Sequence, residues 1–157
     1  MPTIQLKAMT RKLCHELYKH WANDASIYMD MHLFQPYVYD EAAVNRYFDM
    51  KGQDASRRLF AIMLGDKVIG EMQLKQLDHD KKECSLSIHM QNDAMKGKGY
   101  GTQAERLAVK TAFDELGMAA VNADTIRKNT RSQHVLEKVG FRFVGEDETF
   151  KYYRIEQ

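Results

Sequence analysis

The amino-acid sequence predicts an α+β fold in three layers (an α/β three-layer arrangement), with a mixed, mostly antiparallel central sheet of about seven strands flanked by about four helices. Three observations lead there. Alternating and helical patterns follow one another in the order strand, two helices, three strands, helix, strand, helix, two strands. The three consecutive strands are joined by short polar connections, which makes them antiparallel neighbours. The last of them, "ECSLSIHM", sends Cys84, Leu86, Ile88 and Met90 one way and Glu83, Ser85, Ser87 and His89 the other, so one face is core and the other polar.

Taken in order, "TIQLK" at residues 3–7 alternates as a short first strand. Thr10 caps a helix in "RKLCHELYKHWAND", where Leu13, Leu17 and Trp21 form a stripe with Cys14 and Tyr18 beside it, and Asn23 and Asp24 end it. Tyr28, Met29, Met31, Phe34, Tyr37 and Tyr39 follow; this density of aromatic and thioether groups either walls a small-molecule pocket or belongs to ordinary core. Asp40 caps "EAAVNRYFDM", whose Val44, Tyr47 and Phe48 share a face, and Gly52 offers the stop. The strands "RLFAIML", "KVIGEMQLKQL" and "ECSLSIHM" come next, the first two turning at Gly65-Asp66. After a glycine loop, "TQAERLAVKTAFDEL" buries Ala104, Leu107, Ala108, Ala112, Phe113 and Leu116 and stops at Gly117. "AAVNADTI" is a strand, "TRSQHVLEKV" a short helix running to Gly140, and "FRFVGEDETFKYYRIEQ" two closing strands around an acidic turn.

Composition narrows the function classes. A chain of 157 residues is the size of one domain, and its 44% apolar and 29% charged residues suit a globular protein rather than a disordered one. No apolar run approaches membrane-spanning length, and "MPTIQLKAMTRKL" lacks the apolar core of a signal peptide, so the expectation is a cytoplasmic protein without a membrane partner. A net charge of +1 gives no basic field for nucleic acid. Cys14 and Cys84 have neither metal-ligand spacing nor a disulfide framework and read as small core residues in a reducing compartment.

The segment "KGKGYGTQAERLA", residues 96–108, lies between a strand and a helix. Main-chain N–H groups of such a loop and helix start converge without carbonyl partners and suit a phosphate, and Gly97, Gly99 and Gly101 remove side chains that would hold the anion away. Each hydrogen bond to a charged oxygen contributes about 1.5–3 kcal/mol, against about 0.3–1 kcal/mol from the helix dipole, so the amides dominate. Lys96 and Lys98 either add charge or are solvated loop lysines. Thr102 and Glu105 fit a capping box, which starts the helix with or without a ligand. The loop lacks the Gly-Lys-Ser/Thr of a P-loop, and its G-x-G-x-G after an antiparallel strand departs from the dinucleotide fingerprint.

The succession of elements and the stretch "KGKGYG" resemble the GCN5-related N-acetyltransferase (GNAT) superfamily, whose signature is Q/R-x-x-G-x-G/A. Gly99 and Gly101 fill its essential positions, and Lys96 stands in place of glutamine or arginine. "NTRSQHVLEKVGF" looks like the family's last-helix motif through Asn129, Ser132, Gly140 and Phe141. The resemblance covers the whole chain as one N-acetyltransferase domain, residues 1–157, and is closest to the branch of ribosomal-protein alanine acetyltransferases. It implies an acetyl-CoA site: the diphosphate on the backbone of Gly97, Lys98, Gly99, Tyr100, Gly101 and Thr102 beside Lys96, the pantetheine arm along Ile88, His89 and Met90, and Asn129 across from it. Arg127, Lys128 and Arg131 either approach the adenosine phosphates or form a solvated basic face. A homodimer is a family-level expectation.

Acetyl transfer to a primary amine, from a protein N-terminus or a small molecule, needs a proton acceptor, and Glu83 is the expected general base, its pKa raised by partial burial. Glu71 is its rival; His89 and His134 are either further candidates or structural histidines. The resemblance implies a tyrosine acid where this chain has Leu136, leaving Tyr152, Tyr153 or water, while Ser132 is expected to touch the thiol end of the cofactor. The competing reading is a noncatalytic acyl-CoA-binding or sensing module, which Leu136 favours.

Overall fold

Among the described residues seven strands form one sheet in the order β1-β2-β3-β4-β5-β7-β6. They are β1 (Ile4–Ala8), β2 (Arg58–Leu64), β3 (Lys67–Asp78), β4 (Glu83–Met90), β5 (Ala120–Ile126), β6 (Arg142–Glu146) and β7 (Phe150–Glu156). Among the described residues four α-helices accompany them: α1 (Arg11–Lys19), α2 (Glu41–Gln53), α3 (Tyr100–Asp114) and α4 (Thr130–Val139). This computed structural model describes residues 3–23 and 35–157. Asp24, Tyr28, Met29, Met31 and Phe34, read above as part of a helix end and an aromatic stretch, lie outside the described residues.

Alternation along the strands sorts the sheet into two faces. Ile62, Met72, Leu74, Leu86, Val121, Ala123 and Tyr153 pack with Tyr100, Ala104, Ala108, Ala112 and Leu136 of α3 and α4. Ala61, Met63 and Val68 pack on the other side with Cys14 and Leu17 of α1 and Val44 of α2. Both cysteines are buried and free, and burial pushes their pKa up, Cys14 to about 12 and Cys84 to about 11, as inert core thiols require.

Local chemistry sets the helix starts. The Thr10 hydroxyl accepts from the Leu13 amide at 3.1 Å, and the Asp40 carboxylate accepts from Ala42 and Ala43. Helix ends depart from the sequence reading. α1 stops at Lys19, not at Asn23, because the following chain is drawn onto the end of β4: the Ala22 amide donates to the Gln91 carbonyl and the Gln91 side chain donates to the Leu17 carbonyl, both at 2.9 Å. α2 runs through Gly52 to Gln53, and the chain turns only where Asp54 accepts from the amide and hydroxyl of Ser56.

One junction positions the functional site. Among the described residues every strand pairing is antiparallel except that of β4 with β5, which is parallel and spans Glu83↔Ala120, Cys84↔Val121 and Ser85↔Asn122. Beyond Ser85 the two strands part, each held only by its outer neighbour, β3 or β7. On the outer side β3 comes very close: a Cβ at Gly70 would sit 2.8 Å from the His89 carbonyl oxygen, so only glycine fits there.

Candidate functional site

The parted strands open a cleft of about 1290 Å³, bounded by β4, β5, the loop before α3 and the first turns of α3 and α4. Gly97 and Gly99 adopt φ of 74° and 82°, the left-handed region that turns the loop into the helix. Gly99 is the N-cap and has no side-chain capping bond; the first helical amide with an acceptor among the described residues is that of Gln103, at 3.1 Å from the Gly99 carbonyl. The amides of Tyr100, Gly101 and Thr102 therefore have no acceptor among the described residues, and Gly99, Gly101 and Thr102 line the mouth of the cleft. The expected Thr102–Glu105 capping box does not form: the helix begins earlier, and Glu105 is buried on its body. Gly101 has only ordinary contacts, the nearest to a built Cβ being Val135 Cγ1 at 3.9 Å.

β4 forms one wall through Ile88, His89 and Met90. The Gln91 amide donates to Ile69 on β3 at 2.8 Å, and alternation along the strand then turns the main-chain polar groups of Met90 and Ile88 toward the cleft. Across from them Asn129 caps α4, its Oδ1 accepting from the Ser132 amide at 3.1 Å, and both residues line the cleft. Leu136, on the same helix, is buried and lines it too. Of the basic candidates, Lys96, Lys128 and Arg131 border the cleft, whereas Arg127 turns to the β6–β7 connection and donates to the Asp147 carbonyl.

The carboxylates reorder the expectations. Glu83 lies on the closed side of the junction, where Arg154 and Asn122 both donate to its Oε1. These bonds hold its pKa below the ordinary carboxylate value, the reverse of the upward shift expected from burial. Glu71 is 1% exposed and accepts from Tyr47 at 2.7 Å, Gln73 at 2.9 Å and Tyr18 at 3.1 Å. Burial, then the charge of Glu71, raises the pKa of both tyrosines, so they stay protonated donors. His89 stands directly opposite Glu71 on the paired strand and reaches the cleft, beside Trp21. His89 is exposed at the cleft edge, and the neighbouring protein lowers its pKa by desolvation, an effect that Glu71 opposes and Lys75 and Lys96 assist.

Two features escaped the sequence reading. Arg154 as the partner of Glu83 leaves no local signal. Glu105 does leave one, since it falls three and four positions before the buried Ala108 and Val109.

Comparison with known proteins agrees with this geometry. Residues 4–142 match the model of the acetyltransferase (GNAT) domain, and the chain belongs to that family. A probable N-acetyltransferase, YjcK of Bacillus subtilis, is 36% identical over 76 residues, 48% of this chain and 42% of the relative. The spermidine N(1)-acetyltransferase of Escherichia coli K12 is 25% identical over 99 residues, 63% of this chain and 53% of the relative. The chain thus spans about half the length of the curated relatives it matches. The fold is that of the Vibrio cholerae spermidine N-acetyltransferase solved with CoA and spermine, at a TM-score of 0.80 and 18% identity over 99% of this chain and 96% of that one.

Proposed function

We propose that the chain is an acetyl-CoA-dependent N-acetyltransferase that transfers an acetyl group to a primary amine by direct attack in a ternary complex. The observation that carries this reading is the wedge between β4 and β5 with three amides of α3 open at its mouth, since one cleft then offers an edge for an amide-bearing arm and a cradle for a diphosphate. The residues fit that carrier: the turn at Gly97 and Gly99 presents the amides of Tyr100, Gly101 and Thr102, Lys96 adds charge while Lys98 lies exposed outside the cleft lining, Ile88 and Met90 provide the edge, and Asn129 and Ser132 face it. Bound there, the carrier supplies an activated acetyl thioester.

The remaining work falls to the chain itself. The polar side of β4 and β5, with Ser85, Ser87, His89 and Asn122, receives the amine. With a lysine-like pKa near 10.4, freeing the lone pair at pH 7 costs about 4–5 kcal/mol. His89 takes this proton: it borders the cleft, its lowered pKa keeps the ring neutral and receptive, and Glu71 opposite stabilises the imidazolium that results. Glu83 is the weaker candidate, its carboxylate being engaged by Arg154. The Met90 amide is directed to hold the thioester oxygen, and Ser132 the sulfur end.

The names of the E. coli and V. cholerae relatives support a small polyamine over a protein N-terminus as acceptor. A noncatalytic acyl-CoA-binding module is the second reading, favoured by the buried Leu136 where the family resemblance implies an acid. Thiol release from acetyl-CoA, followed over polyamines, amino acids and N-terminal peptides, tests both. Turnover with polyamines is expected; tight acetyl-CoA binding without turnover on any amine would establish the module instead.

A further inference from the structure

We propose that Glu105 is a neutral, proton-bearing carboxyl that donates a hydrogen bond to an oxygen of the bound carrier's arm, so that carrier binding is linked to a proton. The inference rests on the coenzyme A reading above. Glu105 follows Gly101 and Thr102 by four and three positions, which places all three on one side of α3, and all three line the cleft. The residue is 1% exposed, and its Oε1 is buried with no hydrogen-bond partner among the described residues. Leaving a buried polar atom unpaired costs about 1–3 kcal/mol, so a native site that retains one calls for a partner from outside the chain.

The charge state follows from the surroundings. β1 and β3 turn apolar side chains toward α3, among them Ile4, Leu6, Met72 and Leu74. β4 contributes Cys84 and β7 contributes Tyr153, both raised by burial and both neutral at pH 7. Elsewhere around the cleft stand Lys96 on the loop, Lys75 on β3, His89 on β4, Asp124 on β5, Lys128 before α4, Arg131, His134 and Lys138 on α4, and Tyr152 on β7. None of these contributes to the shift of Glu105, whose single cause is burial, pushing its pKa up to about 8. At pH 7 the carboxyl therefore keeps its proton and is a donor. A carboxylate there would also repel a diphosphate held one turn away, which the neutral form does not.

Calorimetric titration with acetyl-CoA is the test, because its thiol is capped and phosphate ionises near pH 6, below the window of interest. The wild-type Kd is expected to rise about tenfold from pH 7 to pH 9, with close to one proton taken up per carrier bound at the upper end, read from buffers of different ionisation heat. Glu105→Gln, which keeps shape and a donor, should bind within about twofold of wild type at pH 7 and change less than about twofold by pH 9. Glu105→Leu should bind more weakly at every pH, again without slope. A flat wild-type profile, or a slope that survives in Glu105→Gln, overturns the proposal while leaving the carrier site intact. Absence of acetyl-CoA binding at every pH overturns the coenzyme A reading and this inference together.

Discussion

Whether Glu105 holds a proton can be decided without any ligand, from the pH dependence of folding. Its pKa lies near 8 in the folded protein, against 4.5 as the ordinary value. A carboxyl raised on folding contributes stability that is fully present below its unfolded pKa and is lost as pH climbs toward the folded one. Between those limits the unfolded chain releases a proton that the folded chain keeps, so the wild type loses stability steadily as pH rises, roughly 2–3 kcal/mol from pH 5 to pH 7. The near-complete burial of the side chain means solvent screening takes little from this figure. A glutamine at this position titrates nowhere in that range and has almost the same shape. Urea denaturation of wild type and Glu105→Gln at pH 5, 6 and 7 cancels the contribution of all other groups. The variant should start near wild-type stability at pH 5 and lead by about 2–3 kcal/mol at pH 7, or about 2–4 °C of Tm for each kcal/mol. A constant gap across the three pH values would refute the reasoning, because it would mean that Glu105 ionises at the same pH folded and unfolded.

The other expectations are structural and catalytic. Gly99→Glu places a side chain on a residue with φ of 82° and a negative charge in the amide cradle, so acetyl-CoA affinity should drop by more than about hundredfold while far-ultraviolet circular dichroism is kept; unchanged affinity would eliminate the cradle. Gly70→Ala drives a Cβ against the His89 carbonyl and should cost about 1–3 kcal/mol in urea denaturation, whereas a neutral result would show that β4 can shift freely. Glu83→Gln should leave kcat within about threefold, since removing a general base typically lowers it by about 10²–10⁴; a loss on that scale with intact acetyl-CoA affinity would restore Glu83 as the base. Asn129→Ala removes the α4 cap and should destabilise by about 1 kcal/mol, checked by thermal melts.

What the sequence made legible divides by range. The strands, their order and their faces were readable because alternation needs only near neighbours, and Thr10 and Asp40 were readable as caps because each bonds amides two or three residues on. The end of α1 was not, since it depends on Gln91 gripping Leu17 and Ala22 from the far end of β4. Gly52 misled because its neighbours Asp54 and Ser56 make the turn themselves. The same division runs through the site. The glycine loop was readable in one stretch of sequence as a candidate cradle, and Asn129 and Ser132 as candidates at the start of α4. The state of Glu83 could not, because alternation tells which side a residue faces and not that Arg154, from the last strand, will be there to neutralise it.

Glu105 marks the boundary between the two cases. Its neighbours in the chain suggested a capping box, while its register with Ala108 and Val109 already marked it as buried, and the helix obeyed the register. A cap bond would have left the carboxylate solvated and ordinary. Burial gives instead a proton-bearing group beneath the open amides of α3. Because a capping Glu105 would accept from the Thr102 amide itself, its displacement from the helix start leaves that amide open, and burial removes the charge that would have competed there with a diphosphate.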